Sequence, residues 1–92
     1  MTRHPDPEQL MEFPCDHLFK AFGPHRADGR FEQDVRCAVS LVVPVAADAL
    51  SARVSSGGTY TCVTVKVRLE HFAQLREVYA ALRKVAGLKY LL

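Results

Sequence analysis

Cys15 and His17 stand two residues apart, Gly57 and Gly58 stand together before Thr59 and Tyr60, and Lys66 and Arg68 alternate with valines. On an extended strand a Cys-x-His pair puts both side chains on one face. His4, His25 and His71 are the loose candidates for completing a metal site there. A structural zinc site uses four ligands, usually in close pairs. This chain offers one such pair, so no metal is expected. Nucleophilic catalysis needs a Cys or Ser beside a base and an orienting group. No His and carboxylate pair is committed to Cys15, Cys37 or Cys62. Glu32, Asp34, Glu70 and Glu77 fall at helix or helix-entry positions, where solvated charges are ordinary. The expectation is a protein that is not an enzyme, with no catalytic residue and no cofactor.

The segment Ser55-Ser56-Gly57-Gly58-Thr59-Tyr60 could cradle a phosphate only if it led from a strand into a helix with Lys and Ser/Thr at its end. It leads into a strand instead. The reading is a hairpin turn in which two glycines supply the positive φ angles that tight turns select.

These residues need elements to hold them, and the periodicities supply six. Cys15 to Phe22, closed by Gly23-Pro24, reads as a first strand. Phe31, Val35, Ala38, Val39 and Val42 recur at helical spacing, with Asp28 capping the start and Pro44 marking the end. Ala49 to Ser55 and Thr59 to Leu69 read as a hairpin. In the second of these strands Thr61, Val63, Val65, Val67 and Leu69 face a core, while Tyr60, Cys62, Thr64, Lys66 and Arg68 face away. Phe72, Leu75, Tyr79, Leu82 and Val85 form a second helical stripe with Gly87 at its exit. Leu88 to Leu92 reads as a last strand. This order is the split βαβ pattern, an α+β ferredoxin-like βαββαβ fold with a four-stranded antiparallel sheet and both helices on one face.

Ninety-two residues, of which 49% are hydrophobic, suffice for one domain. We assign it to residues 11–92 and read residues 1–10, with His4-Pro5-Asp6-Pro7, as a flexible tail. The longest apolar run, Ala38 to Ala47, falls short of the roughly 20 residues that cross a bilayer. Three widely spaced cysteines fit a reducing compartment, so a cytoplasmic location without membrane contact is expected.

A formal net charge of +2 gives no broad bias towards anions, so the placement of charge decides. Strand parity puts Lys66 and Arg68 on the face away from the core and assigns Lys20, Arg53 and Lys89 to the same face, with Asp16 the one nearby acid. Tyr60, Leu18, Phe22 and Leu91 interleave with these cations. Wet sheet faces carry Lys and Arg as a matter of course. Cations interleaved with apolar groups suit a partner better than bulk water.

Met11-Glu12-Phe13-Pro14, Phe19-Lys20-Ala21-Phe22-Gly23, the Ser55-to-Tyr60 hairpin leading into Val63-Thr64-Val65, Gln74-Leu75 and Val78-Tyr79-Ala80-Ala81-Leu82 together resemble the YbeD-like family of small bacterial proteins of unknown function. The resemblance runs from about Met11 to Leu92. It implies a ferredoxin-like fold close to the ACT regulatory domains and a role in regulating metabolism through a ligand or a partner enzyme. Two features depart from the family, Pro44 late in the first helix and polar His17 in the first strand. By the ACT-like analogy Gly23, Pro24 and His25 would lie near a ligand at a homodimer interface.

The expected function is a non-enzymatic regulatory or interaction module. It would bind a partner protein or a small anionic metabolite through Lys20, Arg53, Tyr60, Thr64, Lys66, Arg68 and Lys89, or at that dimer interface. The alternative is single-stranded RNA binding by the same face, which calls for two or three stacking aromatics on the central strands.

Overall fold

A computed structural model describes residues 11–92. The tail assigned to residues 1–10 lies outside the described residues. The elements are β1 (Cys15–Pro24), α1 (Arg30–Ser40), β2 (Leu50–Val54), β3 (Tyr60–Leu69), α2 (Phe72–Leu82) and β4 (Tyr90–Leu91). The four strands form one sheet in the order β2-β3-β1-β4, every pair antiparallel. The βαββαβ order makes this the ferredoxin-like fold expected from the sequence.

Strand β3 sorts its side chains as its alternation predicts. Thr61, Val63, Val65, Val67 and Leu69 are all buried. The three valines and Leu69 meet Phe19 and Ala21 of β1, Phe31, Val35, Ala38 and Val39 of α1, and Leu75, Val78 and Leu82 of α2 in one core. Both helices therefore cover the same side of the sheet, and the other side carries no helix.

Helix α1 stops at Ser40, ahead of Pro44, rather than running up to it. The N–H groups of Leu41 and Val42 donate to the carbonyls of Ala38 and Val39, a tightened i→i+3 turn of the kind that closes helix ends. This turn brings Val43 into the core in place of Val42, which is half-buried. At the other end Asp28 Oδ1 accepts the Arg30 N–H at 3.0 Å, as expected, although the residue flanking the helix is Gly29. That backbone bond, aided by the Arg26 guanidinium, lowers the Asp28 carboxyl below its usual pKa.

Helix α2 ends at Leu82, so Val85 and Gly87 belong to the connection to β4 rather than to the helix and its exit. Val78, outside the expected stripe, is fully buried.

The β2–β3 turn corrects the two-glycine reading. Gly58 takes a φ of 71°, whereas Gly57 does not enter the positive-φ region. The Gly58 N–H donates to the Ser55 carbonyl at 2.9 Å, closing a four-residue turn whose last residue, Gly58, is left-handed. One glycine is required there, and the second is a choice.

Candidate binding face

The strand register lays the open side of the sheet out in rows. Arg53 pairs with Cys62, Cys62 with Phe22, and Phe22 with Tyr90, one residue from each strand. The next row is Ser51, Thr64 and Lys20. Leu92 extends it by exchanging both backbone bonds with Lys20, at 3.0 and 2.8 Å. Beyond lie Lys66 opposite Leu18 and then Arg68 opposite Asp16. Side chains two apart on a strand are separated by about 7 Å. The face is thus a short lattice with three chemically distinct zones.

The first zone is balanced. Asp16 stands 4.0 Å from both Lys66 and Arg68, and Glu70 stands 3.7 Å from Arg68. Asp16 was the expected acid, and Glu70 joins it from the end of β3. These cations therefore face carboxylates as well as solvent.

The second zone is not balanced. Lys20, Arg53, Ser51, Thr64 and Cys62 line a shallow depression of about 380 Å³. Among the described residues neither Lys20 nor Arg53 takes part in a salt bridge. Two cations and two hydroxyls therefore share a lining that holds no carboxylate side chain.

The third zone is aromatic. Phe22, Tyr60 and Tyr90, with Ser55 and Lys89, line a cleft of about 610 Å³. Phe22 and Tyr90 meet edge to face with ring centroids 6.4 Å apart. Tyr60 keeps 46% and Tyr90 71% of its surface exposed, so ring faces remain free. Ser55 is held in place by its hydroxyl, which accepts the Tyr60 N–H at 3.1 Å.

Tyr90 is the residue that sequence reasoning missed. The expected parity of the last strand turned Lys89 and Leu91 outward. In the structure Leu91 pairs with buried Ala21 and packs against the core, which turns Tyr90 to the open side. The Lys89 N–H donates to the Phe22 carbonyl at 2.7 Å while Tyr90 is the register partner of Phe22. Two residues therefore meet one, and Lys89 reaches the cleft rim despite its parity.

The loop candidates lie apart from the cations. Gly23 is buried on the helix side, where a Cβ would collide with the Phe31 ring. Pro24 ends β1 against Gly87. The His25 ring Nδ1 lies 3.1 Å from the Thr61 hydroxyl, and the His25 backbone N–H donates to the Thr59 carbonyl. These three residues shape the β1–α1 turn and do not share a surface with Lys66 or Arg68. Among the described residues no three His, Cys, Asp or Glu side chains come together as metal ligands. No helix among them is long and apolar enough to cross a membrane.

Fold and face together define a ferredoxin-like α+β domain with a cationic and aromatic open sheet. The solution structure of protein HP0495 from H. pylori has the same fold, with a TM-score of 0.67 over 100% of this chain and 98% of that one, at 9% identity. A UPF0250 protein of Neisseria meningitidis is 39% identical over 89% of each chain. A UPF0250 protein of Pasteurella multocida is 36% identical over 92% of this chain and 93% of its own. The profile described as "Protein of unknown function (DUF493)" matches residues 8–92. The chain belongs to this DUF493/UPF0250 family, the YbeD-like proteins that its motifs resemble.

Proposed function

We propose that this protein is a non-enzymatic cytoplasmic regulatory module whose open sheet face binds an anionic group, carried by a small metabolite or presented by a partner enzyme. The observation that carries the reading is the Lys20–Arg53 depression, furnished by Ser51 and Thr64 and with no Asp or Glu side chain in its lining. A bound anion would gain charge-assisted hydrogen bonds from both cations. Cys62, the one thiol in that depression, has no His or carboxylate beside it in the lining, which supports binding over nucleophilic chemistry.

The test is a thermal-shift series with inorganic phosphate, citrate and other organic anions at low and high salt, on the native chain and on Lys20→Ala/Arg53→Ala. A rise in Tm that the double variant loses supports the reading. Equal rises in both proteins, or none in either, remove it.

The second reading is single-stranded RNA binding, and the outward turn of Tyr90 favours it by making three aromatics on the face. A salt-sensitive gel shift with short RNA, abolished by Lys66→Glu/Arg68→Glu, supports it. No shift at low salt eliminates it.

A further inference from the structure

We propose that the aromatic cleft and the Lys20–Arg53 depression are two halves of one site for a mononucleotide, with the base against the rings and the phosphate on the cations. This rests on the anion-binding reading and names its ligand class. The two halves adjoin. Phe22 of the cleft is the register partner of Cys62 in the depression, and Lys20 is two residues from Phe22 on the same face. The separation of about 7 Å between such positions leaves room for a sugar between a stacked ring and its phosphate.

Each half has the chemistry its share of the ligand needs. A phosphate monoester is close to a dianion at neutral pH and calls for more than one cation. Arg53 offers a planar fork, Lys20 a point charge, and Ser51 and Thr64 add hydroxyl donors. In the cleft the exposed rings of Tyr60 and Tyr90 provide stacking surface. The edge-to-face contact with Phe22 restricts Tyr90 on one side before any ligand arrives, which reduces the ordering cost of binding. Lys89 and Ser55 supply polar groups for the edge of a base. A volume of about 610 Å³ lies within the range of small-ligand sites.

A single-stranded polymer would use the Lys66 and Arg68 end as well, and there Asp16 and Glu70 oppose a second phosphate. That charge pattern favours one nucleotide over a strand.

The experiment is titration of the full chain with AMP, adenosine, ribose 5-phosphate, inorganic phosphate and an eight-nucleotide adenosine RNA, followed by calorimetry and amide NMR shifts. AMP is expected to bind at least about tenfold more tightly than ribose 5-phosphate, because one stacked base contributes that much, and more tightly than adenosine, which lacks the phosphate. Tyr90→Ala, with its NMR spectrum confirming the fold, is expected to weaken AMP towards the ribose 5-phosphate level and leave ribose 5-phosphate unchanged. Arg53→Ala is expected to weaken both phosphates. If AMP and ribose 5-phosphate bind equally, and both depend on Arg53, the mononucleotide proposal falls while anion binding stands. If no anion binds, both fall. If the RNA binds about tenfold more tightly than AMP and depends on Lys66 and Arg68, the site belongs to a strand and the proposal is overturned.

Discussion

Phe22 and Tyr90 meet edge to face across the β1–β4 pair, their ring planes 86° apart, and this contact joins the two-residue β4 to β1 on the open side of the sheet. Its counterpart on the helix side is Leu91 over Ala21. A strand this short has few ladder bonds of its own, so side-chain contacts must contribute much of its docking.

A double-mutant cycle of Phe22→Ala and Tyr90→Ala measures that contribution. The coupling energy from urea unfolding should lie near 0.5–1.5 kcal/mol, the usual range for an aromatic pair. A coupling of zero would show that the rings lie together without holding β4.

The hairpin glycines separate in the same kind of measurement. Gly58→Ala places a Cβ at φ 71° in open space, so its cost is backbone strain alone, about 1–2 kcal/mol. Gly57→Ala meets no atom closer than 3.8 Å and has no positive φ, so it should be neutral or stabilising by up to about 1 kcal/mol through the unfolded chain. Equal losses at both positions would contradict the turn geometry.

Gly23→Ala should destabilise for a different reason. Its Cβ would enter the ring of Phe31, itself only 2% exposed and unable to swing into solvent without opening the core. Overpacking of this sort costs about 1–3 kcal/mol. Chemical unfolding of Gly23→Ala and of the double variant Gly23→Ala/Phe31→Leu checks it, because the smaller side chain should recover part of the loss. No recovery would place the cost elsewhere.

The strands whose faces differ in polarity were legible from their residues. In β3 every second residue from Thr61 to Leu69 is apolar or Thr, and burial follows that alternation without exception. Lys20, Arg53, Lys66 and Arg68 were assigned to the open side by the same logic. Leu88 to Leu92 gives no such instruction, because apolar residues sit at both parities. Its register is decided by pairing with β1, a contact between residues about seventy positions apart, and so Tyr90 was invisible. The helix ends were blurred for a local reason. Pro44 marks where a helix cannot continue, but the tightened turn after Ser40 ends it earlier. The division of the cations into balanced and unbalanced zones depended on Glu70, whose position after β3 brings it beside Arg68.

His17 provides a pH test. Its ring lies on the helix side, edge-on to Phe19 at 4.6 Å and to Tyr79 at 6.5 Å, and partial burial lowers its pKa below the ordinary 6.5. The unfolded chain therefore takes up a proton at a higher pH than the folded one. The stability contributed by the neutral ring is fully present above pH 6.5 and declines as the pH falls from there through the lower folded value. The native protein should show a lower urea midpoint at pH 5.5 than at pH 7.5, with the fall reduced in His17→Phe. An identical fall in both proteins would assign it to other groups.

On the proposed anion-binding reading, Asp16 limits how far an anion can extend beyond the central depression. Its carboxylate is 55% exposed and 4.0 Å from each cation, so its ion pairs should add little to stability, and Asp16→Asn should shift the unfolding free energy by less than about 1 kcal/mol. The electrostatic effect is larger than the energetic one. Removing this charge leaves Lys66 without its acid and Arg68 with Glu70 alone. The row of cations from Arg53 through Lys20 to Arg68 then becomes more nearly continuous. Binding of a polyanion such as heparin should strengthen in Asp16→Asn and become more steeply dependent on salt, because more of its charges are neutralised at once. Inorganic phosphate, which the proposal places between Lys20 and Arg53, should change little. If phosphate and heparin gained equally, the central depression and the Lys66–Arg68 end would act as a single electrostatic surface rather than as separate zones.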